Sequence, residues 1–165
     1  HYHLKPGGVT TVIHQQIAAI KNECDVLVIS GAPPENDASF KTIVIPEIGY
    51  DPFGEKNPSP EKTAQKIIRA ISDHWPDGCD ILHVHNPLLA KNQQFLNMLT
   101  ELQACHVRLL LQVHDLAEDG RPRVYYSDAP YPSDCHFCVI NSRDYNAEYK
   151  CIVKPNSRIA VIWNI

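Results

Sequence analysis

Short aliphatic runs alternate along this chain with one-sided helical stripes. Val9, Val12, Ile13, Ile17 and Ile20 recur at helical spacing and predict an amphipathic helix launched from Lys5-Pro6-Gly7-Gly8-Val9-Thr10. Residues 25–31, with Val26-Leu27-Val28-Ile29 at their centre, form an aliphatic run that ends in a turn signal, as expected of a strand buried on both faces. Pro33-Pro34 bars a helix from residues 32–39, and Thr42-Ile43-Val44-Ile45 reads as the next strand, ended by Pro46. Ser59-Pro60-Glu61 is a helix start: a capping hydroxyl, Pro at the first position and an acid in the first turn. Ala64, Ile67, Ile68, Ile71 and Trp75 give that helix its stripe, and Pro76-Asp77-Gly78 ends it.

The alternation continues. Residues 81–85 predict a strand, 88–103 a helix with Phe95, Leu96, Leu99 and Leu102 on one face, and 107–113 a strand more hydrophobic than the others. Residues 137–140 predict a strand, 141–144 a helix cap, 146–151 a short helix and 159–162 a final strand. Strand, helix, strand, repeated, is the pattern of an α/β sandwich with a mostly parallel sheet. The expected unit is a single Rossmann-like three-layer domain spanning residues 1–165. In such folds ligands bind in the crevice outside the carboxyl ends of the strands. Residues 48–60 form a long irregular segment, and loops of such length in compact domains are usually functional or mobile, while residues 116–133 have no clean period.

Composition narrows the function classes. A net charge of −4 without a basic stripe argues against nucleic acid as the partner. No apolar run approaches the roughly 18 residues needed to cross a bilayer. The expected location is therefore cytoplasmic, with peripheral association at the inner membrane face left open. Six cysteines invite a disulfide reading, but this much aliphatic core needs no stapling. Cys24 and Cys79, each just before an apolar run, are expected to serve as small buried hydrophobes. The chain opens at His1, nearly on top of Gly7-Gly8, where a βα unit would carry its first strand. It therefore reads as an excised piece or one lacking its true start, with residues 1–4 as a stub of that strand.

Three strand ends carry the candidate chemistry. Gly7 and Gly8 leave no side chain over the first turn of a helix, whose unpaired N–H groups can then bind an anion; the bland alternative is a tight turn. In His83-Val84-His85-Asn86-Pro87, period-two alternation puts both histidines on one face, with His83 in the core and His85 toward the crevice. The pair has no third ligand at a telling spacing, so no metal is expected. In Gln112-Val113-His114-Asp115, a histidine ends a buried strand, where it can bind a hydroxyl, shuttle a proton or simply cap. A Ser-His-Asp hydrolase would need a G-x-S-x-G elbow, which the sequence lacks. Cys135-His136-Phe137-Cys138 has C-x-x-C spacing but runs into a strand, so a structural role is expected.

Taken in order, these stations resemble the N-terminal half of the retaining glycosyltransferases of the GT-B fold, the family that includes glycogen-synthase-like and phosphatidylinositol-mannosyltransferase-like enzymes. The resemblance rests on Pro6-Gly7-Gly8-Val9, on Asp80-Ile81-Leu82-His83-Val84-His85 and on Val113-His114-Asp115. It continues through Val139-Ile140-Asn141-Ser142 and Ile159-Ala160-Val161-Ile162-Trp163-Asn164. It implies transfer of a sugar, with retention, from a nucleotide-sugar donor (UDP-, GDP- or ADP-linked) to a carbohydrate or lipid-linked acceptor. No cofactor is expected. By the same resemblance, Gly7 and Gly8 would approach the donor diphosphate, and His114 with Asp115 would lie beside the transferring sugar. His85, Asn86, Tyr50, Arg121 and Tyr126 would face the acceptor. The family's C-terminal donor-binding domain is absent here, so this stretch alone is expected to fold but to be inactive. Two alternatives stay open: a nucleotide-sugar epimerase of GT-B shape, and a non-catalytic nucleotide- or sugar-binding module. A G-x-G-x-x-G dinucleotide fingerprint is not present.

Overall fold

A computed structural model of the chain describes residues 1–35, 40–51, 59–115, 122–124, 126, 131–141, 143 and 157–162. Along the described chain the elements run α1 (Gly8–Ile20), β1 (Leu27–Ser30), β2 (Lys41–Val44), α2 (Pro60–Ser72), β3 (Leu82–His85), α3 (Phe95–Ala104), β4 (Leu109–Val113), β5 (His136–Val139) and β6 (Arg158–Val161). Among the described residues every strand pairing is parallel: β1 with β2, and β3-β4-β5-β6 in that order. This is the Rossmann-like α/β arrangement that the alternating pattern predicts. The helix expected over 146–151 lies outside the described residues.

Alternation within each strand separates two apolar layers. Val28 joins Leu4 and Ile13 beneath α1, whereas Ile29 and Ile43 turn to the opposite face. There Ala64, Ile67 and Ile71 of α2 meet Leu96, Leu99 and Leu102 of α3 over Val84, Leu111 and Val113. The helices α2 and α3 therefore cover one face and α1 the other. α2 starts as its sequence dictates, with Ser59 accepting from the Lys62 N–H at 3.4 Å and Pro60 opening the first turn. α1 has no side-chain cap and no acid in its first turn.

One helix is shorter than its apolar pattern. Residues 88–94 form turns, and α3 begins only at Phe95. The cause is upstream: Asn86 sits in the left-handed region at φ 57°, and Pro87 follows it. The side chain of Asn92 then donates to the Glu47 and Gly49 carbonyls, at 2.9 and 2.8 Å, and accepts from the Gln94 N–H at 3.0 Å. Leu88, Leu89 and Ala90 are buried as anchors of this folded loop, not as a helical stripe.

The two-stranded and four-stranded parts are bridged at their carboxyl end by residues 1 and 2. The His1 amino nitrogen donates to the Ile29 carbonyl at 3.1 Å, and the Gly31 N–H reaches back to the His1 and Tyr2 carbonyls. The His1 ring approaches the His85 carbonyl at 3.1 Å. Residues 1–4, expected as a stub of the first strand, form no strand, although residues 1 and 2 lie beside β1. Among the described residues, no helix is long and apolar enough to cross a membrane.

Candidate functional site

Strand register assembles the site. β3 and β4 align His83 with Leu110 and His85 with Gln112. Side chains of His83, His85, Gln112 and His114 therefore share the α1 face, while Val84, Leu111 and Val113 face the core. Gln112 is fully buried, and its Oε1 accepts from Gln16 of α1 at 2.9 Å. At the carboxyl end, His85 Nδ1 stands 3.1 Å from His114 Nε2. The two rings stack at 25°, and His83 stacks on His85 at 29°.

Burial keeps this row of imidazoles neutral. It pushes His83 down to about 4, opposed by the neighbouring Gln112 side chain. It pushes His85 down to about 2, helped by repulsion from His83 and from the terminal ammonium. His114 is lowered as well, again by burial, with the Asp115 carboxylate opposing. Two neutral imidazoles in this contact share one proton: one nitrogen donates and the other accepts, so the tautomer of each ring fixes that of its partner.

Asn86 clamps the end of β4. Its Oδ1 accepts from the His114 N–H at 3.2 Å and the Asp115 N–H at 3.1 Å, and its Nδ2 donates to Asp115 Oδ2 at 3.1 Å. Its own N–H donates to the Gln112 carbonyl at 2.7 Å. Asn86 is 4% exposed, His85 7% and His114 9%, so all three are buried, while Asp115 beside them is half-buried. Gly7 and Gly8 lie open: a Cβ on Gly8 would meet nothing within 4 Å, and one on Gly7 only the Lys5 carbonyl at 3.9 Å. Packing does not require either glycine. The first-turn N–H groups of α1 face outward there, with no side-chain cap over them.

Tyr50 is exposed, and its hydroxyl accepts from Lys91 Nζ at 2.9 Å and lies 3.1 Å from His3 Nε2. Tyr126 is buried, its hydroxyl donating to the Asn92 carbonyl at 2.7 Å. Arg121 lies outside the described residues. The sequence reading missed His3 and Lys91, whose positions beside Tyr50 depend on the loop that Asn92 folds. It also missed Gln112, although alternation through Gln112-Val113-His114 was a usable signal. Among the described residues, no group of three His, Cys, Asp or Glu converges as a metal site.

The C-x-x-C pair is buried. Burial pushes the Cys135 thiol up to about 11 and raises Cys138 too, which leaves both poor nucleophiles. Cys79 is half-buried, as a small hydrophobe would be. Cys24 is exposed, contrary to expectation, because the turn after α1 carries it out of the layer beneath that helix.

Comparison with known proteins finds one informative similarity. The chain is 24% identical over 168 aligned residues to mannosylglucosyl-3-phosphoglycerate synthase of Petrotoga mobilis (strain DSM 10674 / SJ95), an alignment covering 92% of this chain. The chain spans about a third of that relative's length (33%). No protein-family model matches, and no solved structure matches significantly.

Proposed function

We propose that this chain is the acceptor-side half of a two-domain, GT-B-shaped glycosyltransferase, which moves a hexosyl group from a nucleotide sugar to an acceptor with retention. The observation that carries the reading is His114, oriented at the carboxyl end of β4 and kept neutral by burial. An oxocarbenium-like transition state gains positive charge on the sugar ring. A cationic imidazole beside it would repel that charge, whereas a neutral one can accept a hydrogen bond from a sugar hydroxyl without penalty. Asp115, tethered by Asn86, adds a carboxylate at the same strand end. The open first turn of α1 suits the leaving diphosphate, because Gly7 and Gly8 let its oxygens come close to unpaired N–H groups.

The relative's name describes a product built on 3-phosphoglycerate. An anionic acceptor of that kind would meet Lys5, His3 and Lys91, which gather around Tyr50 and before α1. A C-terminal domain would supply the sugar-nucleotide contacts, and the 165-residue chain alone should fold without turning over.

The test is to express the open reading frame through and beyond the codon for Ile165, and to incubate it with GDP-mannose, UDP-glucose or ADP-glucose plus glucosyl-3-phosphoglycerate. Transfer with the donor's anomeric configuration kept, read by NMR, is the expected result. Inverted product would reject retention, and transfer by the 165-residue chain alone would reject the two-domain assignment.

A further inference from the structure

His85 is held between two other imidazoles. His83 lies against one side of its ring with centroids 4.3 Å apart, while His85 Nδ1 stands 3.1 Å from His114 Nε2. The centroids of that second pair are 5.4 Å apart and the planes differ by 25°, as expected where nitrogen edges meet nearly in plane. Such a contact is short enough and aligned for an N–H···N hydrogen bond. The main chain of His114 is fixed separately, because Asn86 Oδ1 accepts its N–H at 3.2 Å. Asp115, next in the chain, turns its Oδ2 to Asn86 Nδ2. Among the described residues, the remaining ring nitrogen of His114, Nδ1, has no partner and is not sealed from solvent.

The bond can be drawn in two ways. If His85 Nδ1 carries the shared proton, the proton of His114 must sit on its own Nδ1, and both rings hold the Nδ1–H form. If His114 Nε2 carries it, the proton of His85 must sit on Nε2, and both rings hold the Nε2–H form. Burial keeps both rings uncharged, so each has one proton to place. Uncharged histidine side chains favour Nε2–H in water. The second arrangement therefore puts both rings in their preferred form, and the first puts neither. From this pair we infer that His85 is a positioning residue, which holds His114 as the Nε2–H tautomer and leaves His114 Nδ1 as a free hydrogen-bond acceptor. A bare ring nitrogen of that kind takes a hydroxyl and gains nothing from a phosphate or carboxylate oxygen, which has no proton to offer. The sequence reading set His85 against the acceptor; at 7% exposure it works instead through His114. The kinetic consequence rests on the proposed sugar transfer, but the place of the proton does not.

The test uses the full-length protein labelled with 15N-histidine at neutral pH, together with His85→Asn and His85→Leu. Asparagine keeps an acceptor oxygen near the place of Nδ1; leucine has none. In the unsubstituted protein, His114 Nε2 should give the signal of a protonated nitrogen and Nδ1 that of a bare one. His85→Asn should keep this pattern, and His85→Leu should mix the two forms. Turnover should fall about tenfold or more in His85→Leu, with KM changed less than about threefold, and His85→Asn should recover most of the loss. A proton on His114 Nδ1 in the unsubstituted protein would overturn the inference, as would an unchanged Nε2–H pattern in His85→Leu. Equal turnover losses in the two variants would make His85 a packing residue and overturn it too. If His85→Leu does not fold, the nitrogen–nitrogen coupling across the bond in the unsubstituted protein decides, and its absence rejects the positioning role. If no sugar is transferred from any donor, the transfer reading fails while the nitrogen signals still decide the tautomer.

Discussion

His85 Nδ1 and His114 Nε2 lie 3.1 Å apart across two paired strands, with their rings stacked at 25°. One contact thus couples the tautomers of the two rings. On the proposed sugar-transfer function, His114→Ala in the full-length protein should lower turnover on the order of 100-fold or more. Its stability penalty should stay near 1–2 kcal/mol, roughly the value of one lost buried hydrogen bond. Paired kinetics and thermal melts check this. A collapsed melting temperature with the rate retained would make His114 a structural cap.

Asn86 should behave in the opposite sense. Asn86→Ala removes the acceptor for two N–H groups and the donor to Asp115, and leaves a Cβ at φ 57° with no polar compensation. A loss of about 2–4 kcal/mol is expected by denaturant unfolding. Asn86→Gly relieves the backbone but not the lost bonds. It should recover about 1 kcal/mol of that loss, which separates the two causes.

Acid should destabilise the fold through the imidazole row. His83 titrates near 4 when folded and near 6.5 when unfolded. Between those values the unfolded chain binds more protons, so stability is fully present above about 6.5 and falls as pH drops toward 4. A difference of that size corresponds to about 3 kcal/mol for His83. Melting temperatures measured from pH 7 to pH 4.5 should decline, and His83→Gln should flatten the slope.

These residues also mark how far the sequence could be read. The strands were legible because aliphatic runs such as Leu109-Leu110-Leu111 have few other uses, and alternation put His83 and His85 on one face. Which histidine meets which was not legible, because it depends on the β3–β4 register and not on any local pattern. The start of α3 was misread for a related reason. Leu88 and Leu89 look helical, but their conformation is set by Asn92 reaching two carbonyls more than forty positions away.

The glycines divide into two kinds, and substitution separates them. A Cβ on Gly31 would sit 2.5 Å from both Gly49 N and the Tyr2 carbonyl, so Gly31→Ala should cost about 3 kcal/mol. Gly8→Ala meets open space and should leave stability unchanged or raise it by roughly 0.4–1 kcal/mol. If Gly8 approaches a diphosphate, Gly8→Ala should nevertheless weaken nucleotide-sugar binding, measured by calorimetry.

Asn92 ties together segments that are remote in the chain. It holds Glu47 and Gly49 by its amide, Gln94 by its side-chain oxygen and the Tyr126 hydroxyl by its carbonyl. These stretches cannot drift independently over evolutionary time, since a change in the length of one misaligns the acceptor or donor that another supplies. Anyone transplanting this wall would have to move residues 46–51, 86–94 and 126 as a set. Diversity in this protein's descendants should accordingly collect outside that set, leaving the wall itself inherited as a block.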